Sequence, residues 1–159
     1  MRKLFRRTAC LMALTAMLAF SGSPLPAAQN VVQPLELEKL AQMLATQGRR
    51  SILVVMAAWC APCIAELPVL NQLYQKYSST GVAMMGISLD YGGPRAIQPL
   101  IDQHNVRFPI YWVGEKAIEP YNIRGIPLIL FAENGKIIAR ILGKRSKKDL
   151  DQRFSDFLN

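Results

Sequence analysis

Cys60 and Cys63, separated by Ala61 and Pro62 and preceded by Trp59, are the residues of this chain whose types and spacing point most directly to chemistry. Two thiols two residues apart can close a small disulfide ring and open it again. They lie where the apolar run 51–58 gives way to a helical pattern beginning near Ala61. A helix N-terminus offers unpaired backbone N–H groups and a partial positive charge, which favour thiolate over thiol on the first sulfur. The thiolate is the attacking species in disulfide exchange, so dithiol redox chemistry is the leading reading.

Two plainer uses of the pair weigh less. A structural disulfide closing so short a loop constrains little of the unfolded chain. Tetrahedral zinc needs four ligands, and His104 is the one histidine in the sequence. Two thiolates would suit copper(I), a soft ion, so a copper carrier stays open. No metal site and no cofactor is expected.

The composition bounds the setting. With 159 residues, 51% hydrophobic and 19% charged, the chain fits one globular domain with one core. Residues 1–28 read as an export signal: a basic start, an apolar stretch 8–20, a Ser-Gly-Ser-Pro break and small residues at Ala27 and Ala28. The apolar stretch falls short of the roughly 20 residues that span a bilayer as a helix. Cleavage near Ala28 is expected, with an uncleaved membrane anchor as the alternative. Cys10 lies inside this segment and is given no function. Arg2, Lys3, Arg6 and Arg7 supply four of the net charge of +8, so removing the leader leaves +4. That balance does not point to nucleic acid. The dense basic run, residues 144–148, reads as a solvated loop, with an acidic partner or a lipid surface as alternatives. Export also places the dithiol in an oxidising compartment, where something must keep reducing it.

The elements that must position the thiols follow from periodicity. Apolar residues at helical spacing over 33–47 predict a first helix ended by Gly48. A continuous apolar run over 52–58 predicts a strand buried on both faces. Ile64, Leu67, Leu70, Tyr74 and Tyr77 predict a helix over 61–77 that contains Pro68. A second buried strand over 82–89 leads to a loop at 90–93, then a helix over 94–105 opened by Pro94. A short strand at 110–113, a short helix at 115–122, and strands 128–132 and 136–142 about the Asn134-Gly135 turn come next. Ser146 caps a last helix through Leu158. The expected fold class is α/β, a central mixed β-sheet flanked by helices.

This order, with the thiols between the first central strand and its helix, resembles the thioredoxin fold over residues 35–159. The residues carrying the resemblance are Trp59-Cys60-Ala61-Pro62-Cys63, Pro68 in the following helix, Tyr121-Asn122-Ile123-Arg124-Gly125-Ile126-Pro127, the Asn134-Gly135 turn and Gly143 before the last helix. The export signal, the extra helical segment 94–108 after the second central strand, and Glu66 after the motif are similar to the TlpA/ResA-like exported thiol–disulfide oxidoreductases. The chain departs from the pattern in three places. Val54 stands where thioredoxins proper carry a buried aspartate, Leu128 follows Pro127 where threonine is common, and the N-terminal entry is short and helical.

The resemblance implies roles. Cys60 is the attacking thiol, exposed at the helix start, and Cys63, one turn along and more buried, resolves the mixed disulfide. Glu66 is either a buried carboxylate that relays a proton to Cys63 or a surface glutamate. Trp59, Pro62, Ile126 and Pro127 would contact the client, with the Ile126–Pro127 bond cis. Arg124 frames the groove or pairs on the surface. The implied partners are proteins with disulfides and a membrane electron donor that restores the dithiol. A monomer in the periplasm is expected, reducing haem-attachment cysteines in cytochrome c maturation or copper-site thiols. A copper(I) carrier with little exchange activity and a disulfide-forming oxidant are the alternatives.

Overall fold

The structure is a computed structural model that describes residues 30–159. The expected export signal at 1–28, with Cys10, lies outside the described residues. Six strands form one sheet: β1 (Gln33–Pro34), β2 (Arg50–Met56), β3 (Ala83–Ser88), β4 (Ile110–Trp112), β5 (Leu128–Glu133) and β6 (Lys136–Leu142). Four helices accompany them: α1 (Leu37–Leu44), α2 (Ala61–Tyr77), α3 (Pro94–Gln103) and α4 (Lys147–Leu158). The strand order across the sheet is β1-β4-β3-β2-β5-β6. β1 to β4 run parallel, whereas β5 is antiparallel to β2 and to β6, which makes the sheet mixed as expected.

Strand periodicity divides the core into two layers. Side chains alternate across a strand, so Ile52, Val54 and Met56 of β2 pack in one layer while Leu53 and Val55 pack in the other. The first layer takes Leu67, Leu70 and Leu73 of α2, Ile97 and Ile101 of α3, and Leu150 and Phe154 of α4. The second takes Leu40 and Leu44 of α1 with Met85, Ile87 and Leu130. β2 is buried on both faces because it sits between β3 and β5 with a helical layer on each side. Gly86 of β3 leaves room for its neighbour on β4, since a Cβ there would collide with Ile110 Cδ1. Asn134 and Gly135 both adopt positive φ, 50° and 82°, the geometry of the two-residue hairpin turn.

Two expected elements are corrected. Residues 33–47 are not one helix: Gln33 and Pro34 pair with Tyr111 and Trp112 as an edge strand, and the helix begins only at Leu37. The residue before a proline is pushed toward extended backbone, which keeps Gln33 out of the helix, and the distant pairing with β4 makes the segment a strand. The N-terminal entry therefore contributes a strand rather than being wholly helical. The helix expected over 115–122 is a single 3-10 turn, Gly114–Ala117. Pro120 lacks the N–H that would bond the carbonyl of Lys116, so a helix cannot continue through it. The remaining elements fall within about two residues of their expected bounds.

Candidate active site

Four segments meet at one edge of the sheet, and register shows which. β2 ends at Met56, so the chain turns there through Ala57, Ala58 and Trp59 to Cys60. Met56 is opposite Ser88 of β3, which places the loop after β3 on the same edge. Val55 is opposite Leu128, so Ile126 and Pro127, immediately before β5, reach that edge too. Leu128 is in turn opposite Leu142, which brings Gly143, Lys144 and Arg145 beside Pro127. The N–H of Gly143 donates to the carbonyl of Pro127 at 2.8 Å. The Ile126–Pro127 bond is cis, as the resemblance implies.

Cys60 and Cys63 are joined as a disulfide with an S–S distance of 2.02 Å and a Cα–Cα distance of 5.3 Å. Cys60 is the N-cap of α2, and its Sγ accepts the backbone N–H of Cys63 at 3.3 Å. Negative charge on that sulfur would meet both this donor and the positive end of the helix. The expectation of an exposed Cys60 is corrected. In the disulfide it is 5% exposed, against 2% for Cys63, because the cap side chain folds back over the first turn and joins the core layer beneath. The exposed groups are its neighbours: Trp59 at 61%, together with Ala61 and Pro62. Ile126 is half-buried against the core layer that contains both cysteines, and Pro127 is buried.

Glu66 is buried, which removes the surface alternative. It sits three residues after Cys63 on the inner face of α2, the spacing at which side chains are neighbours on a helix. Its Oε1 accepts the backbone N–H of Arg145 at 2.7 Å, tying α2 to the loop before α4. Burial pushes the Glu66 carboxyl above its ordinary range. The Arg145 N–H and the charges of Lys144 and Arg145 pull it partway back.

Asp90 is a component that sequence reasoning passed over as loop. It is 2% exposed, and its carboxylate accepts the Ala58 N–H at 2.9 and 3.1 Å through its two oxygens. The Ser88 hydroxyl donates to the same carboxylate at 2.8 Å, and the Trp112 indole N–H donates to the Asp90 carbonyl at 2.6 Å. Asp90 therefore fixes the turn that carries Trp59 and Cys60, holding it to β3 and β4. An aspartate directly after a buried apolar strand was the available signal. Arg124 is exposed and donates to Asn122 Oδ1 at 3.1 Å, a neutral partner two residues away.

Comparisons with known proteins agree with this geometry. The AhpC/TSA family model matches residues 25–139. The thiol–disulfide oxidoreductase ResA of Bacillus thuringiensis (strain Al Hakam) is 30% identical over 123 residues, covering 76% of this chain and 70% of that protein. Among solved structures, a thiol:disulfide interchange protein DsbE from Chlorobium tepidum superposes with a TM-score of 0.65 at 25% identity, over 71% of this chain and 82% of that one. StoA from Bacillus subtilis gives a TM-score of 0.59 at 25% identity, over 67% and 83%. A mixed sheet with a Cys-Ala-Pro-Cys disulfide at the start of α2 and this degree of likeness lead to one conclusion: the chain belongs to the thioredoxin-like AhpC/TSA family and is a thiol–disulfide oxidoreductase of the ResA-like kind.

Proposed function

We propose that this protein is exported to the periplasm and reduces disulfides of client proteins, with residues 1–28 as its signal and 29–159 as one thioredoxin-like domain. The observation that carries this reading is the Cys60–Cys63 pair at the N-terminus of α2, with the Cys63 N–H aimed at Cys60 Sγ. In the reduced protein, the Cys60 thiolate attacks one sulfur of a client disulfide. The client S–S bond breaks, and the departing sulfur leaves as a thiolate that takes a proton. Cys63, once deprotonated, attacks Cys60 Sγ and expels the client's second sulfur. Two electrons and two protons thus pass to the client while Cys60 and Cys63 become the disulfide. Glu66, three residues along the same helical face, is the group that accepts the Cys63 proton, and its raised affinity for protons suits it to that step.

Trp59, Pro62, Ile126 and Pro127 surround the pair and form the client contact. A membrane-bound dithiol donor returns two electrons to the disulfide. Among the described residues no helix is long and apolar enough to cross a membrane. Clients of the ResA-like kind would be haem-attachment cysteines of cytochrome c or the thiols of a copper site.

Insulin reduction with dithiothreitol as electron source tests the reading. The parent protein should accelerate precipitation of the insulin B chain, Cys60→Ser should abolish the acceleration, and Cys63→Ser should accumulate a mixed disulfide on Cys60. A protein that binds copper(I) stoichiometrically but reduces insulin no faster than dithiothreitol alone would overturn it.

A further inference from the structure

We infer that the redox site selects clients whose disulfide is flanked by acidic residues, through a cationic rim formed by Arg124, Lys144, Lys147 and Lys148. The inference rests on the reading of Cys60 and Cys63 as a client-reducing pair and adds the charge class of the client. Residues 144–148 contain four cations and no acid, and all five are exposed. In the sequence this run reads as a solvated loop. The structure pins it to the redox site from two sides.

Arg145 donates its backbone N–H to Glu66, one helical turn beyond Cys63, at 2.7 Å. Gly143 donates to Pro127 at 2.8 Å, and Gly125 lies against Leu142, so Arg124 joins the same rim from the neighbouring segment. Among the described residues, none of the ion pairs involves Arg124, Lys144, Lys147 or Lys148. Asp149 is shared between Arg145 and Arg153, and Asp151 is held by Lys76. The two carboxylates that belong to the site, Glu66 and Asp90, are buried and already hydrogen-bonded. The other side of the site offers the uncharged, exposed rings of Trp59 and Tyr91.

A client presenting its disulfide to Cys60 would therefore meet two exposed aromatic rings and cations that have no ion-pair partner among the described residues. Such a field raises the encounter rate of anionic segments and repels cationic ones. An anionic lipid surface would also suit these charges. It would cover the face through which clients must reach Cys60, whereas a client segment uses the rim and the thiols together.

The test uses the prereduced protein and two synthetic peptides with the same disulfide, one flanked by glutamates and one by lysines. Each peptide disulfide becomes a dithiol as the protein becomes oxidised, so a single turnover gives a second-order rate constant. Hydroxyethyl disulfide serves as an uncharged reference. At low salt the glutamate peptide should react about tenfold faster or more than the lysine peptide. That ratio should fall toward one at about 1 M salt, where the screening length is about 3 Å. Lys144→Gln/Lys147→Gln/Lys148→Gln should lower the ratio at low salt in the same way, with folding confirmed by its melting temperature. Equal rates for the two peptides, with hydroxyethyl disulfide still reduced, overturn this inference alone. Failure to reduce any of the three overturns the reductase reading with it. Binding to phosphatidylglycerol vesicles without peptide preference assigns the rim to a membrane and also overturns it.

Discussion

At the residue scale, the site depends on two buried carboxylates with different tasks. Asp90 holds the backbone before Cys60 in place, so truncating it leaves the Ala58 N–H without its partner in a buried setting. Asp90→Ala should lower unfolding stability by about 1–3 kcal/mol, measured by urea titration, and should slow exchange at Cys60. Asp90→Asn keeps an oxygen for the Ala58 N–H and an amide donor for Ser88, and should recover most of both. Glu66 is the carboxylate pushed up by burial. Because burial raises its proton affinity in the folded protein, its contribution to stability is fully present below about pH 4.5, the ordinary value. That contribution is lost as pH rises through the higher folded value. Glu66→Gln retains an acceptor for the Arg145 N–H and removes the charge. Melting temperatures from pH 4 to 8 should therefore show parent stability falling relative to Glu66→Gln as pH rises. A parallel pair of curves would mean that Glu66 is not perturbed.

At the element scale, α2 carries the thiols and α4 braces it. Lys76 Nζ reaches both carboxylate oxygens of Asp151 at 2.7 and 2.8 Å, and the Tyr77 hydroxyl donates to Asp151 Oδ1 at 2.8 Å. Phe154 is fully buried beneath this contact, edge-on to Phe131 with ring centroids 5.7 Å apart. Phe154→Ala should cost about 3–5 kcal/mol in chemical denaturation, since little around the ring can collapse into the space. Elements of this kind are legible in sequence when their cause is local. The apolar run of β2, the Asn134-Gly135 turn and the Ser146 cap, whose Oγ accepts the Asp149 N–H at 3.2 Å, all carry their own signals. β1 does not, because two residues pairing with Tyr111 and Trp112 leave no periodicity. Asp90 was hidden for the same reason, since its partner Ala58 lies 32 residues away; Glu66 was named in the sequence, but the partner that ties it down, Arg145, lies 79 residues away, so its burial was not legible.

At the scale of the whole molecule, the parallel strands and the returning hairpin deliver four chain segments to one edge of the sheet. The dithiol comes from β2, the brace from β3, the Ile126–Pro127 shelf precedes β5, and the basic loop follows β6. Motif order in the sequence was sufficient to place the first and third of these. The second and fourth required the register. The central claim is that Cys60 and Cys63 form a couple poised to give electrons to client disulfides. Its most direct test is the reduction potential, obtained by equilibrating the protein with dithiothreitol or glutathione buffers and quantifying the dithiol. The account predicts a value toward the reducing end of the known range, near about −270 mV. A value near about −120 mV, the oxidising end, would contradict it and make the protein a donor of disulfides.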